Sequence, residues 1–375
     1  TDNLSAPEIA LPGENFNTVL YAGDDASSKA ITGVGFKPDF VAIKARSVAD
    51  SHADFDSVRG TGVLHFNATN IENTTTGALM FKSYDTDGFT VGYDASADLT
   101  NRTSQTYVGW NWKAGGAPTA DNDNAAGAVP DLGSVMIDGV ASTAALAGTI
   151  AAKKISANTT SGFSIVEYTG TGVASTVAHG LSTAPTMVIA KNFGGPTSAA
   201  NEWAVYSEPV GNTKALFLDG DSTGATSINF WNNATPTSSV FSVYQSTTTN
   251  DSGEFYIAYC FSNIEGYSKV GSYVGNSSTD GTFVYCGFKP AYIMQKNISA
   301  TSQWNIWDVK RDTYNVAEKR LLANSSSAEL DGYTDVDILS NGFKWRRDSG
   351  DFNYTGNSNL YIAFAESPFK YSNAR

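Results

Sequence analysis

One string of landmarks occurs three times along these 375 residues, and a chain written that way is expected to fold as a series of like units. The first copy opens on Tyr21 and Gly23 and continues through Gly35-Phe36-Lys37-Pro38 and Phe40-Val41-Ala42-Ile43-Lys44. It closes on Tyr107-Val108-Gly109-Trp110-Asn111-Trp112. The second has Tyr168 and Gly170, Gly180 to Pro185, Met187-Val188-Ile189-Ala190-Lys191 and Tyr256-Ile257-Ala258-Tyr259-Cys260-Phe261. The third has Tyr273 and Gly275, Gly287-Phe288-Lys289-Pro290, Tyr292-Ile293-Met294-Gln295-Lys296 and Tyr361-Ile362-Ala363-Phe364-Ala365-Glu366. In each copy a proline precedes a lysine by six residues, and an aromatic or acidic position follows further on: Phe55-Asp56, Trp203, Trp307-Asp308. A turn feeding an alternating segment precedes each closing run, at Gly88-Phe89-Thr90-Val91-Gly92, Val240-Phe241-Ser242-Val243-Tyr244 and Gly342-Phe343-Lys344-Trp345.

The recurring segments alternate apolar and polar residues, are rich in Val, Ile, Phe, Tyr, Trp and Thr, and are bounded by Gly, Asn, Asp or Pro, which is the pattern of half-buried strands. Ser, Thr and Asn contribute 107 residues, and hydrophobic residues 41%, enough apolar area to fold. The expected class is all-β: tandem antiparallel β-sandwiches, jelly-roll-like, in three repeats of about 100 residues each. The boundaries read as 1–116 for the first repeat with its lead-in, 117–159 for an Ala/Gly-rich linker, 160–268 for the second repeat and 269–375 for the third. Within the linker, Ala141 to Ile155 has the alanines of a marginal helix, but Gly148 and the lack of an apolar face favour an extended connection with one or two strands. The second and third units join through Phe261-Ser262-Asn263-Ile264-Glu265-Gly266-Tyr267, short enough for the two to pack as a rigid pair. Lys44, Lys191 and Lys296 are expected at solvent-facing strand ends or in ion pairs within their own unit.

A net charge of −13 and a pI near 4.6 leave no basic field for phosphates, so nucleic acid is not an expected partner. No apolar run approaches the ~18 residues of a membrane helix. Cys260 and Cys286 are too few for a disulfide framework and have no His or Cys at zinc spacing; no metal and no cofactor is expected. No basic and apolar leader accompanies Thr1, as expected of a processed terminus or of a piece of something longer.

Signals for catalysis are sparse. His52, His65 and His179 form no metal-binding pair, and a triad assembled from 40 serines carries no information. The paired aspartates Asp54/Asp56, Asp85/Asp87, Asp219/Asp221 and Asp335/Asp337 could flank a sugar as acid and base. Asp85-Thr86-Asp87-Gly88 and Asp219-Gly220-Asp221 have the form of turns instead, where aspartate bonds its own backbone. Aromatics in turn-rich segments suit stacking on a pyranose while amides bond its hydroxyls. Trp231 with Asn232 and Asn233 fits best, followed by Tyr333 and Trp345 in the third unit; the alternative is that these rings fill sandwich cores, where Trp110, Trp112 and Trp203 are expected.

Several runs resemble a domain of virion proteins of tailed bacteriophages of marine bacteria, tail fibres and related surface proteins in particular. They are Phe16-Asn17-Thr18-Val19-Leu20-Tyr21, Gly33-Val34-Gly35-Phe36-Lys37-Pro38-Asp39-Phe40-Val41, Asp56-Ser57-Val58-Arg59-Gly60, Trp110-Asn111-Trp112-Lys113-Ala114-Gly115-Gly116, Gly162-Phe163-Ser164-Ile165-Val166-Glu167-Tyr168 and the closing Glu366-Ser367-Pro368-Phe369-Lys370-Tyr371. The resemblance implies a structural or adhesive protein on the virion surface, assembled in the host cytoplasm. It would act as a tail fibre or receptor-binding module that contacts host-surface polysaccharide and other virion proteins, without inserting into membrane. A homotrimer would multiply weak contacts by avidity. No catalytic residue carries over; a polysaccharide-depolymerising tailspike and a decoration protein without host ligand are the alternatives.

Overall fold

A computed structural model describes residues 6–93, 95, 99–197 and 199–372. Strand accounts for 41% of the fold and helix for 5%, in several antiparallel sheets with no closed barrel. At three places along the chain four strands pair in the same order: opening strand, closing strand, Pro-Lys strand, acidic strand. These are Phe16–Ala22, Thr106–Trp112, Phe40–Ala45 and Ala53–Asp56; then Phe163–Thr169, Phe255–Phe261, Met187–Gly194 and Ala204–Ser207; then Ser268–Val274, Ser358–Pro368, Phe288–Asn297 and Trp304–Asp308. The registers match as well. Phe40 lies opposite Trp112 and Asp56, Met187 opposite Phe261 and Ser207, and Tyr292 opposite Phe364 and Asp308.

Each large sheet is covered on one face by a small one. Lys29–Thr32, Gly88–Val91 and Phe81–Asp85 form the first, Ser175–Ala178 and Val240–Val243 the second, and Phe283–Tyr285, Gly342–Trp345 and Val336–Leu339 the third. Between the two layers of each sandwich lies a separate core, typified by Phe55 stacked on Phe81 at 4.5 Å, Tyr168 on Tyr256 at 5.2 Å and Trp345 on Phe352 at 4.5 Å.

A fourth core draws on all three units. The outer faces of the large sheets meet one another, so that Phe40 lies 4.6 Å from Tyr259, Phe16 5.1 Å from Phe364 and Phe261 5.8 Å from Phe364. The three units therefore share a core rather than each packing by itself. The reason is local: Phe40 to Ala45 is buried at all six positions, so both faces of that strand need cover. An unbroken apolar run is the sequence sign of such a strand.

The stretch expected as a linker contributes sheet instead. Val135–Ile137, Val140–Ala141 and Ala152–Asn158 extend the second unit's large sheet beyond its opening strand and, with Lys214–Phe217 and Ala225–Thr226 at the other edge, bring it to nine strands; no helix forms over Ala141 to Ile155. Ala152, Ile155 and Ala157 turn into the second core, which gives this segment the apolar face that its alanines hid in a helical reading. The chain leaving the first unit passes through Gly115, where a Cβ would sit 2.4 Å from the Met136 carbonyl oxygen and 2.5 Å from that of Ala157. Gly115→Ala is therefore expected to lower stability by about 1–3 kcal/mol through forced backbone displacement. The shift in the urea midpoint checks it.

Candidate functional site

Two of the rings singled out as sugar platforms are core residues. Trp231 ends the single helical turn Ile228–Trp231, whose N-cap Ser227 accepts from Asn229 N–H; its indole is buried in the second core, 6.0 Å from Tyr206. Asn232 and Asn233 follow in left-handed conformation (φ 52° and 49°), Asn232 half-buried at the C-cap and Asn233 exposed. Trp345 lies wholly inside the third core. Tyr333 is the exposed ring of the set, 42% accessible, with the Arg347 guanidinium 4.3 Å from its centroid. The five residues are not brought together. Trp110, Trp112 and Trp203 are buried, as expected.

The three lysines depart furthest from expectation. None faces solvent and none has an ion pair within its own unit: each is buried and donates to main-chain carbonyls. Lys191 Nζ donates to Thr69 O (2.8 Å) and Asn201 O, Lys296 Nζ to Asp221 O (2.9 Å), Asn297 O and Ser302 O, and Lys44 Nζ to Ala45 O. Thr69 belongs to the first unit and Asp221 to the second, so two of the lysines reach into the unit before their own. Burial lowers each ammonium pKa to about 8.

The residue that begins or precedes each acidic strand repeats this handover. Trp203 Nε1 donates to His65 O (3.0 Å), Trp304 Nε1 to Phe217 O (2.8 Å) and His52 Nε2 to Leu322 O (2.9 Å). Second unit bonds to first, third to second and first to third, which closes a ring. Burial holds His52 at about 3, so its imidazole is neutral and Nε2 carries the proton it donates.

Carboxylates form a second layer of junction contacts. Asp56 accepts from Val58 and Arg59 N–H, pairs with Arg59 Nε at 2.6 Å, and takes the Tyr259 hydroxyl of the second unit at 2.8 Å. Asp308 does the same with Lys310 and Arg311 N–H, Arg311 Nε at 2.5 Å, and the Trp110 indole of the first unit at 3.1 Å. At the matching place in the second unit all three partners change together: Ser207 replaces the acid, Val210 the arginine and Ile362 the donor ring. Arg46 forks onto Glu329 at 2.9 and 2.8 Å, and Arg311 Nη1 meets that carboxylate at 3.2 Å, tying the first unit to the third.

Most of the remaining paired aspartates are also committed. Asp54 is buried and accepts Phe66 N–H, and desolvation raises its carboxyl pKa well above the ordinary carboxylate range. Asp85 to Gly88 make a hairpin turn, but Asp87 accepts from Gly33 and Gly35 N–H of another segment and Asp85 from the Ser83 and Thr90 hydroxyls, not from the backbone of their own turn. Asp219 accepts Trp203 N–H, and buried Asp335 accepts Trp307 Nε1. Cys260 and Cys286 are free and buried, and burial pushes both thiols up to about 12. Among the described residues, no group of three or more His, Cys, Asp and Glu could hold a metal ion, and no helix is long and apolar enough to cross a membrane.

Two clefts open where units meet. One, of about 440 Å³, lies between the first and second units and is lined by Asn15, Lys37, Lys113, Gly116, Asn158 and Thr160 among others. The other, of about 350 Å³, lies between the third and first and includes Phe16, Thr18, Lys310, Thr313 and Glu366. They correspond in the register: Lys113 follows Trp112 as Ala365 follows Phe364, and Thr160 and Gly13 each lie three residues before the opening strands' Phe163 and Phe16. The repeated Pro-Lys spacing is the sequence sign of the three buried lysines; no sequence signal announces the clefts, because their walls come from different units.

The chain belongs to a family described as a domain of unknown function, DUF7483, which it matches over residues 11–136 and again over 134–368. The second match spans both the second and the third units. No curated protein matches the chain.

Because the three buried lysines titrate in the folded state below their ordinary 10.5, the unfolded chain binds more protons between the two values and stability rises with pH there. From about pH 8 to about pH 9 the gain is roughly 2 kcal/mol, before cysteine and tyrosine ionisation in the unfolded chain reverses it. Urea titrations across that range should show it, and Lys296→Met should reduce it. Asp308→Ala, which leaves the buried Arg311 Nε and the Trp110 indole without their carboxylate, should cost about 3 kcal/mol, against less than about 1 kcal/mol for Ser207→Ala at the matching position.

Proposed function

We propose that this DUF7483 member is a structural and adhesive surface module: a tail-fibre or receptor-binding protein exposed on the virion of a tailed phage, contacting host-surface polysaccharide and other virion proteins. The observation that carries the reading is the use made of the buried ionisable groups. Strongly shifted acids and bases mark either a reaction centre or a structural network. Here the shifted Lys191, Lys296 and His52 face main-chain carbonyls of a neighbouring unit, inside a closed ring of contacts that Asp56 and Asp308 join by accepting from Tyr259 and Trp110 of neighbouring units. Such a body holds its loops rigidly and offers hydroxyls, amides and scattered exposed rings outward, which suits recognition by many weak polar contacts. Tyr333, steadied by Arg347, is the exposed ring best placed to stack on a sugar. Copies assembled as a homotrimer would multiply such contacts.

Labelling of the intact particle tests the location: antibody against the folded chain should decorate the outside of the virion, and labelling confined to disrupted particles would sink the reading. Tyr333→Ala should leave the unfolding midpoint within about 0.5 kcal/mol of the parent while lowering attachment to host cells. Trp231→Ala, by contrast, should lose about 3–5 kcal/mol of stability. An adsorption assay beside a urea titration separates the two.

A further inference from the structure

We infer that the cleft between the first and second units is a binding site for the anionic group of an acidic saccharide, with Lys37 and Lys113 as the cations that receive it. Almost every basic side chain described in this acidic protein is committed to a carboxylate, a carbonyl or a ring. Four lysines are not: Lys37, Lys113, Lys214 and Lys310 make no hydrogen bond or ion pair through Nζ. Two of the four line this cleft, and a third, Lys310, lines its counterpart between the third and first units.

The carboxylates beside them are already spoken for. Asp39 is buried and accepts from the Ser57 hydroxyl at 2.8 Å and from Ala114 and Gly116 N–H, while desolvation raises its pKa. Asp138 accepts both the N–H and the hydroxyl of Thr159, at 2.7 and 2.5 Å. The lining is formally balanced, two lysines against Asp39 and Asp138, but the aspartate oxygens are taken up by N–H and hydroxyl donors whereas the two ammonium groups have no hydrogen-bonded partner and are left for an anion. The volume of about 440 Å³ accommodates one or two sugar rings.

The rest of the lining suits a polyol. The Thr160 hydroxyl is exposed, and the Asn15 and Asn158 amides are joined at 3.1 Å with polar capacity to spare. Gly116 and Gly139 have positive φ, and a Cβ at either would meet nothing within 4 Å, so the backbone there presents bare peptide to the cleft. At the matching place between the second and third units the Thr186 hydroxyl donates to Asn263 Oδ1 at 3.1 Å.

Naming a saccharide rests on the adhesive reading above; the anion preference rests on the cleft alone. The test is calorimetric titration of the full chain at low salt with a galacturonate oligosaccharide, a sulfated galactan oligosaccharide, a neutral galactan oligosaccharide of equal length and inorganic phosphate. One or both acidic oligosaccharides should bind, showing whether carboxylate or sulfate is preferred. The Lys37→Gln/Lys113→Gln double variant should weaken that binding about tenfold, with Lys214→Gln unchanged. No binding of either acidic probe, equal binding of the neutral one, equal binding of phosphate alone, or indifference to the double variant would each overturn the site. A wild-type chain that decorates virions and adsorbs to host cells yet ignores both acidic probes overturns this site and leaves the adhesive reading standing; acidic-saccharide binding by a chain buried inside the particle does the reverse.

Discussion

Ammonium groups withdrawn from water need acceptors to replace it, and in this protein decisive acceptors belong to another unit. Lys191 finds Thr69 O and Lys296 finds Asp221 O only when second docks on first and third on second. Burial of the lysine and docking of the unit are thus one event. The ring N–H bonds from His52, Trp203 and Trp304 and the aromatic seam through Phe40, Tyr259 and Phe364 point the same way, so the placement of all three sandwiches is overdetermined.

Much of the architecture was readable from residues. Strands follow from alternating β-branched and aromatic residues between turn formers, and the shared spacing of Tyr-Gly, Pro and Lys anticipates strands that occupy the same order and register. The misreadings have a common cause. Lys44 reads as solvent-facing because the packing that buries it comes from elsewhere in the chain, although its Nζ acceptor is the adjacent Ala45 O, and Trp231 reads as a platform because Asn232 and Asn233 suggest a loop when they terminate a helical turn. Ala152 to Asn158 looked like linker because its small residues carry little hydrophobic signal until another strand lies beside them. In each case the deciding neighbour is distant in sequence. The clefts are the extreme instance, since no single stretch contains a wall and its opposite.

Seen as chemistry, the interior divides its polar groups sharply. Lys191, Lys296 and His52, buried with displaced proton affinity, answer to a partner unit, whereas the exposed lysines of the junction clefts have no hydrogen-bonded partner. A body closed by such cyclic contacts separates the task of staying folded from the task of meeting other molecules, so its surface can change without disturbing the seams.

The seams themselves are not interchangeable. Two join an aspartate–arginine couple to a tyrosine or an indole, and the third sets Ser207 and Val210 against Ile362. A chain carrying three look-alike sandwiches faces many mistaken dockings while it folds, including exchange of a sandwich with a neighbouring copy. Matching the wrong edges would bury an arginine couple against isoleucine, or leave an indole N–H facing a serine–valine surface with no carboxylate, each at the cost of an unanswered polar group. Unequal seams act as a lock on cyclic order, so a polypeptide of near-identical parts closes in a single permutation.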